Sequence, residues 1–365
     1  MSAVANCCAR CCRFGSQSLG LLRRDNAPKR LNLMSLNLQY FSSYPEDKAA
    51  ARQRLRKVVG VDTECAVDVI AVQEGIKSID VFDELGYEKV ACAGSAGVAQ
   101  SVRQMVYDDQ AALGGCPEAL RDEVLCNQIY VQRGSDWQVL AHDVERVSSA
   151  ISLDGGEGRC SGQLAMRSMV WVKLRRVGQD GPAAYVMCTH ITGGRFEDQY
   201  FLQQLGEERR EQPVRCAKFF AERRPQPHED DVGVLIGDFN ALPHYAPTGA
   251  MHSYFKTGIA NSRGVQLDSE RQGLASQAEL EDRFKTYMTS PFMALKDLGW
   301  TLAYGSEVGP TSAFGHLIDH MALSRGVQVL RAEVQHLTNQ KFSTGPPDTD
   351  LVLTDHNAVK VALEF

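Results

Sequence analysis

Val-Leu-Ile-Gly-Asp-Phe-Asn-Ala-Leu-Pro, residues 234–243, is the stretch of this 365-residue chain that decides its fold. Its first three residues are branched and apolar, a composition typical of a strand buried on both faces. We expect Gly237 to end this strand at a turn, which places Asp238 and Asn240 at its carboxyl end. In layered α/β proteins that edge carries ligand crevices, because its loops hold polar groups on a rigid scaffold. Taken alone, the pair is equally compatible with an Asx turn, in which the side chains bond only their own backbone.

Polar side chains flank five further predicted strands in the same way. The strands and their polar groups are 31–36 with Asn37, 67–73 with Glu74, 184–189 with His190, 314–318 with Asp319 and His320, and 358–365 with Asp355 and His356 before it. Each of these polar residues, considered by itself, could have a structural role and no role in binding or catalysis. Glu74 is also suited to capping a helix, and a lone histidine after a strand is often a structural hydrogen-bonding residue.

The order of these motifs resembles the endonuclease/exonuclease/phosphatase superfamily of metal-dependent phosphoesterases. The motifs are Asn37, Gln73-Glu74, Thr189-His190, Gly237-Asp238-Phe239-Asn240, Ile318-Asp319-His320 and Thr354-Asp355-His356. The resemblance covers residues 30 to 365 and implies a DNase I-like α/β fold, a four-layer α/β/β/α sandwich of two packed mixed sheets. The spacing itself indicates only alternating strands and helices. We expect residues 30–177 and 183–365 to contribute one sheet each, separated by the turn at 178–182.

The same resemblance implies roles for individual residues. It implies catalytic roles for His190, Asp238, Asn240, Asp319 and His356, and binding of Mg²⁺ or Mn²⁺ by Asn37, Glu74 and Asp355. Asp238 would activate the attacking water, Asn240 would donate to a phosphoryl oxygen, and Asp319 would orient His356 and favour its charged form. Arg167 and Arg195 are candidates for contacting substrate phosphate. The alternatives are that Arg167 is a solvated cation at a strand start and that Arg195 belongs to an ordinary loop.

The substrate stays open at this stage. We expect hydrolysis of a phosphodiester, as in a nuclease-like phosphodiesterase, with nucleic acid or a phospholipid as the partner molecule. A sphingomyelinase-like phospholipid phosphodiesterase and an inositol-phosphate phosphatase are alternatives, although the Cys-Asp-Arg motif of the phosphoinositide 5-phosphatases is absent at residues 318–320. A catalytically silent scaffold of the same fold is the alternative from another class. Retention of every matched polar position disfavours it.

The termini and insertions set the predicted domain limits. We interpret residues 1–29 as an N-terminal extension and residues 30–365 as one domain, with an atypical insertion at about 244–296. The extension contains Cys7-Cys8 and Cys11-Cys12 beside scattered arginines. This composition is compatible with a disordered tail, a mitochondrial transit peptide or palmitoylation; a zinc site fits less well, because the cysteine spacing departs from Cys-x2-Cys.

Charge and composition narrow the classes of function. Residues 1–30 hold six basic residues and one acidic residue, so the rest of the chain has 33 basic and 44 acidic residues. An acidic body disfavours sequence-independent binding of nucleic acid but leaves room for a local basic channel. No run of residues reaches the roughly 18 apolar positions of a membrane-spanning helix. Eleven irregularly spaced cysteines and no secretory signal favour a reducing compartment, so we expect an intracellular protein, cytoplasmic or mitochondrial.

Three helices are predicted between the strands. We expect helices at residues 45–59 and 276–285, and a charged surface helix at 198–223 that breaks near Pro213, because proline removes a backbone donor.

Overall fold

The computed structural model of the protein describes most of the chain from Arg30 onward. The described residues are 30–38, 48–60, 66–75, 80–94, 126–148, 151–153, 162–164, 167–193, 199–245, 277–312, 315–337 and 354–365. The predicted extension at 1–29 and residues 246–276 of the predicted insertion lie outside these ranges.

The described residues form fourteen strands and three α-helices. The strands are β1 Arg30–Asn37, β2 Val69–Gly75, β3 Tyr87–Ala93, β4 Cys126–Gln132, β5 Trp137–Arg146, β6 Ile151–Leu153, β7 Gly162–Leu164, β8 Ser168–Arg176, β9 Ala184–His190, β10 Val232–Asp238, β11 Thr301–Leu302, β12 Asp319–Leu323, β13 Gln328–Gln335 and β14 Ala358–Glu364. The helices are α1 Lys48–Val59, α2 Gln199–Lys218 and α3 Gln277–Asp297, with a π-helical turn at Phe219–Arg223. None of these helices is long and apolar enough to cross a membrane.

Two six-stranded sheets form the centre of the fold. The first has the order β13-β14-β1-β2-β4-β3 and the second β11-β12-β10-β9-β8-β5, while β6 and β7 form a separate pair. Both large sheets are mixed, because β1 with β2 and β9 with β10 are parallel and the other pairs are antiparallel. Apolar residues of both sheets share one core, such as Leu33 and Ile129 from the first and Val186 and Ile236 from the second. The two sheets therefore pack face to face.

Helices cover the outer faces of the two sheets. Leu55 and Val58 of α1 pack on the first sheet, and Phe292 and Leu295 of α3 pack on the second beside residues at the end of α2. The architecture is the predicted four-layer α/β/β/α sandwich. Residues 277–296, the last part of the predicted insertion, thus supply a helix of the outer core.

The central strand β10 is longer than we predicted. Val234 and Ile236 face the core between the sheets and Leu235 faces the helices, as expected for a strand buried on both sides. The prediction that Gly237 ends the strand is wrong, because β10 continues to Asp238. Glycine is required for another reason: a Cβ at Gly237 would lie 1.8 Å from the carbonyl oxygen of Thr189 in the neighbouring strand.

The predicted division into one sheet per half is also wrong. The turn at 178–182 joins β8 to β9, which are antiparallel neighbours within the second sheet. Strands β5 and β8 of the first half therefore belong to the second sheet. Strands β13 and β14 return to the first sheet, where β14 pairs with β1.

Two other local predictions need correction. The strand predicted at 314–318 begins instead at Asp319, after a loop in which Thr311 Oγ1 accepts hydrogen bonds from the backbone of Ile318 and Asp319. Helix α2 passes through Pro213 without a break. The contacts of its buried residues, such as Arg209 and Cys216, outweigh the single hydrogen bond that proline removes. Helix α3 also extends twelve residues beyond the predicted end at 285, through Pro291 to Asp297.

Candidate active site

The polar residues predicted from the motifs meet at one edge of the sandwich. In the second sheet, Asp238 at the end of β10 lies opposite His190 in parallel β9 and Asp319 at the start of antiparallel β12. In the first sheet, Asn37 ends β1 beside β2, which carries Glu74. Because the sheets pack face to face, the two edges adjoin.

Asp238 connects the two sheets. Its Oδ2 accepts a hydrogen bond of 3.0 Å from Asn37 Nδ2, and its Oδ1 accepts one of 2.7 Å from the backbone N–H of Asn240. The Asx turn considered as an alternative is therefore present, but it occupies only one carboxylate oxygen. Burial, together with the charge of Asp319, raises the pKa of Asp238 to about 7. A carboxyl group with such a pKa is suited to accepting a proton near neutral pH.

Glu74 and Asp355 are the two other carboxylates of the edge. Glu74 has a positive φ of 52° and accepts a hydrogen bond of 3.3 Å from Asn37. Burial and the nearby Asp355 raise the pKa of Glu74, and burial also raises the pKa of Asp355. The buried Oδ1 of Asp355 has no hydrogen-bond partner among the described residues.

His356 is held in its charged form. Its Nδ1 donates to Asp319 Oδ2 over 2.8 Å. Burial alone would lower the pKa of this imidazole, but the carboxylate of Asp319, joined by those of Asp238 and Asp355, raises the pKa well above its ordinary value. The Nε2–H group then faces Asp355 at 3.7 Å and Asp238 at 3.8 Å.

His190 is held neutral with its proton on the opposite nitrogen. A guanidinium has only donors, so the contact of 3.1 Å between Arg167 Nη1 and His190 Nδ1 requires Nδ1 to accept. The proton therefore resides on Nε2, which faces Asp238 at 3.5 Å and Glu74 at 3.7 Å. Burial and the charges of Arg167 and His356 lower the pKa of His190 well below its ordinary value.

Asn240 projects an amide beside this imidazole. Its backbone has a φ of 48°, in the left-handed region, and its Nδ2 donates to the carbonyl of Ile191 at 3.2 Å. The same nitrogen lies 3.0 Å from His190 Nε2. Asn240 Nδ2 is also a donor, so a neutral His190 ring cannot accept from both Arg167 and Asn240. We assign the proton to Nε2 because that nitrogen faces the carboxylates of Asp238 and Glu74, and its contact with Asn240 is then one between two donors. The second amide hydrogen of Asn240 and the Nε2–H of His190 therefore lie side by side as donors for an incoming acceptor.

The carboxylates of the edge suit a hard divalent cation. Within the part of the chain that the structure describes, two groups have ligand-type atoms within 4.8 Å of one another: Glu74, His190 and Asp238, and Asp238, Asp319 and His356. Neither histidine is a suitable ligand, because each presents a protonated nitrogen to the edge. Burial is the main cause that raises the pKa of Glu74 and of Asp238, and repulsion from a neighbouring carboxylate adds to it, so a bound cation would stabilise the ionised forms. Oxygen donors favour Mg²⁺ or Mn²⁺ over softer metals.

The structure brings nine of the ten predicted site residues together. They are Asn37, Glu74, Arg167, His190, Asp238, Asn240, Asp319, Asp355 and His356. Arg167 is hydrogen-bonded to His190 and is not the solvated cation of the alternative. Arg195 lies outside the described residues. His320, which we had grouped with Asp319, is buried behind the edge between Phe239 and Phe292 and donates from Nε2 to the carbonyl of Leu317 at 3.0 Å.

Two buried threonines that support the site were not predicted. Thr354 Oγ1 donates to the carbonyl of Asn37 at 2.7 Å and accepts from the backbone of His356 at 3.1 Å. Thr311 Oγ1 accepts from the backbone of Asp319 at 3.0 Å. The position of Thr354 within the Thr-Asp-His motif was a usable signal, whereas nothing in the sequence around Thr311 marks it.

Comparison with known proteins identifies the fold. No protein-family model and no curated protein matches the sequence. Among solved structures, the human Nocturnin catalytic domain with a bound sulfate anion has a TM-score of 0.51 at 13% identity, covering 92% of this chain and 94% of that one. An endonuclease/exonuclease/phosphatase family protein from Bacteroides thetaiotaomicron has a TM-score of 0.50 at 13% identity, covering 93% and 96% of the two chains. At such identities the likeness establishes a common fold.

Proposed function

Because the chain has the DNase I-like fold of the endonuclease/exonuclease/phosphatase superfamily, we propose that it is a divalent-metal-dependent phosphoesterase that hydrolyses phosphodiesters. One observation carries this proposal. The buried carboxylate of Asp238 lies between a neutral histidine, His190, and a charged one, His356, and both present an N–H group to the same space. The two N–H groups are suited to binding the oxygens of an anionic ester, and the carboxylate between them is suited to accepting a proton from an attacking water.

Asp238 is the proposed general base. Its Oδ1 is fixed by the Asx turn, so Oδ2, next to Asn37, is the oxygen that would accept a proton from water. Asn37 donates to this oxygen and thereby orients it. The pKa of about 7 allows Asp238 to be ionised for part of the population near neutral pH and to hold the proton it gains.

The phosphoryl oxygens would be bound by fixed donors. His190 Nε2–H and the amide of Asn240 form one pair, held by Arg167 and by the carbonyl of Ile191. His356 supplies a charged N–H from the opposite side, and Asp319 fixes its orientation. Donors that are already oriented stabilise charge developing on the phosphoryl group without reorganisation.

The metal ligands in this proposal are Glu74, Asn37 and Asp355. All three residues offer oxygen atoms, and the buried Oδ1 of Asp355, which lies 3.7 Å from His356 Nε2, accepts no hydrogen bond from the described residues. A bound Mg²⁺ or Mn²⁺ supplies neutralisation of phosphoryl charge and polarisation of the ester oxygen.

A substrate panel tests the proposed function and its alternatives. Duplex DNA, single-stranded DNA, RNA, sphingomyelin, inositol phosphates and a small aryl phosphodiester are assayed with Mg²⁺ and with excess chelator. We expect hydrolysis of at least one phosphodiester that chelation abolishes and Mg²⁺ or Mn²⁺ restores. Glu74→Gln should abolish the same activity without unfolding the protein.

The remaining outcomes discriminate between the alternatives. Turnover restricted to sphingomyelin or to inositol phosphates would replace the nuclease-like assignment with one of those two. Activity that persists in excess chelator would contradict the metal-dependent mechanism. No turnover of any ester, with the protein folded and Mg²⁺ present, would favour a silent scaffold.

A further inference from the structure

A fully buried arginine lies behind the active edge, and none of the described carboxylates pairs with it. Arg209, on helix α2, has no exposed surface and is the largest fully buried side chain among the described residues. No described carboxylate lies within ion-pair distance of its guanidinium. A buried charge without a counterion is costly, so its hydrogen bonds must compensate for lost hydration.

The guanidinium of Arg209 instead donates to three backbone carbonyls from three parts of the chain. Nη2 donates to Asn240 at 2.7 Å, Nη1 donates to Thr192, and Nε donates to Tyr287 at 3.2 Å. The plane of the group also lies over the ring of Tyr287, 4.0 Å from its centroid. Arg209 therefore joins the loop after β9, the loop after β10 and helix α3.

The two loops are those that carry His190 and Asn240. Thr192 follows His190 by two residues, and a second residue of α2, Gln212, accepts from the Thr192 backbone at 2.9 Å and donates to its hydroxyl at 2.8 Å. The loops also touch, since a Cβ at Gly193 would lie 2.3 Å from Cγ of Asn240. Their relative position is therefore defined closely, and Arg209 is the one described residue that donates to the backbone of both.

Asn240 needs such support because its backbone is strained. The left-handed region is unfavourable for residues other than glycine, although asparagine tolerates it better than most. The donation to its carbonyl fixes the peptide that follows, and the Asx turn fixes the peptide that precedes. Together they determine where the side-chain amide lies.

We propose that Arg209 is a positioning residue of the phosphoesterase site: its guanidinium holds the backbones of Thr192 and Asn240 so that His190 and the Asn240 amide present their donors to the same phosphoryl group. Arg209 does not touch the substrate. This inference rests on the proposed function for its catalytic consequence, but the geometric part stands on the hydrogen bonds alone.

The chain offers a matched control for Arg209. Lys173 is also a buried cation that donates to two backbone carbonyls, Pro225 at 3.1 Å and Gln226 at 2.7 Å, and lies over an aromatic ring, that of Tyr185. It occupies the opposite end of the second sheet, where β9 and β10 begin. Lys173→Met therefore removes a comparable buried cation without touching the active edge.

The experiment compares Arg209→Met with Lys173→Met and wild type, at a temperature where all three are folded. The first readout does not depend on activity: the amide signals of Asn240 in ¹⁵N-asparagine-labelled protein, assigned by their loss in Asn240→Asp. We expect these signals to shift or broaden in Arg209→Met and to stay unchanged in Lys173→Met. The second readout is kinetic. We expect kcat to fall by about ten- to a hundredfold in Arg209→Met with KM changed less than about threefold, and neither to change in Lys173→Met.

Each outcome decides between the claims. Unchanged Asn240 signals in a folded Arg209→Met protein would overturn the positioning role whatever the activity. Shifted signals with unchanged kcat would overturn its catalytic importance. Shifted signals in a protein whose wild type turns over no phosphoester would support the geometry and reject the proposed function. If Arg209→Met does not fold, Arg209→Lys applies the same criteria, because it keeps the charge but cannot reach three carbonyls at once.

Discussion

Two histidines face the same carboxylate in opposite protonation states, and one neighbour fixes each state. Arg167 donates to His190 and keeps it neutral, whereas Asp319 accepts from His356 and keeps it charged. Burial lowers the pKa of His190 and would lower that of His356 as well. The difference between the two therefore arises from the partner and not from solvent exposure.

The pairing of Asp319 with His356 predicts a pH-dependent effect of Asp319→Asn. Removing the carboxylate should lower the pKa of His356, so activity that needs charged His356 should be lost at a lower pH than in wild type. We expect kcat/KM to fall by about a hundredfold near neutral pH. A double-mutant cycle with His356→Ala should be non-additive, because the two residues act as one unit. Additive losses, or a variant with near-wild-type activity, would show that the pairing does not matter for catalysis.

The contact between Arg167 and His190 predicts a single tautomer. In wild type, the ¹⁵N signals of His190 should report protonation of Nε2 alone. Arg167→Met removes the donor to Nδ1, so the signals should show a share of the Nδ1–H form, and kcat should fall. Arg176→Met is the control and should change neither, because Arg176 is a partly exposed residue at the far end of β8, the strand that follows Arg167. Protonated Nδ1 in the wild-type protein would contradict the assignment of the site.

At the scale of elements, the contact between β9 and β10 explains how His190 and Asp238 come to lie side by side. The two strands are parallel neighbours in register, with Gly237 opposite Thr189. The close approach of backbone at this pair leaves no room for a side chain. A substitution there should separate the strands at the point where both deliver site residues.

Gly237→Ala should therefore destabilise the protein strongly. Its Cβ would meet the carbonyl oxygen of Thr189, a backbone atom that cannot rotate away, and we expect a loss of about 3 kcal/mol in the free energy of unfolding. Gly206→Ala in α2 is the control, because its Cβ would have no contact closer than 4.0 Å. It should stabilise the protein by about 0.5–1 kcal/mol. Chemical denaturation of both variants measures the difference, and equal effects would contradict the account of β10.

The ends of strands could be predicted from the sequence where an apolar run is directly followed by a polar motif. The prediction was less accurate where apolar residues belong to a loop next to the strand. Asp319 was placed at the end of a strand but begins one. Its position at the active edge was still correct, because β12 is antiparallel to β10 and its start adjoins the end of β10. The error arose because Leu317 and Ile318 are apolar yet belong to the loop that Thr311 organises. Hydrogen bonds of this kind leave no periodic pattern in the sequence.

At the scale of the whole molecule, the site exists only because both sheets are complete. Asn37 and Asp238 are separated by 201 residues and are joined by one hydrogen bond. The family resemblance implied that these side chains would meet across the edges of two packed sheets, whereas the spacing indicated only alternating strands and helices. The sequence did not show that strands of the first half, β5 and β8, belong to the second sheet, or that β13 and β14 belong to the first. Which strands pair depends on contacts between residues that are distant in the sequence. The hydrogen bonds of Arg167 and Arg209 could not be predicted either, because they also join residues that are distant in the sequence.

The measurement that tests the central claim most directly is metal-dependent turnover of the best phosphodiester by Asp238→Asn and Asp231→Asn. Both residues are buried acids, Asp238 at the end of β10 and Asp231 just before its start. Among the described residues, Asp231 accepts hydrogen bonds from the backbone of Ala183 and His228 and from Arg224. We expect Asp238→Asn to lower kcat/KM by about a thousandfold while remaining folded, since it removes the proposed base and charge of the site. Asp231→Asn should cost stability and leave kcat/KM within about threefold of wild type. Equal activities of the two variants, or a fully active Asp238→Asn protein, would contradict the claim that the edge between the sheets is a phosphoesterase site.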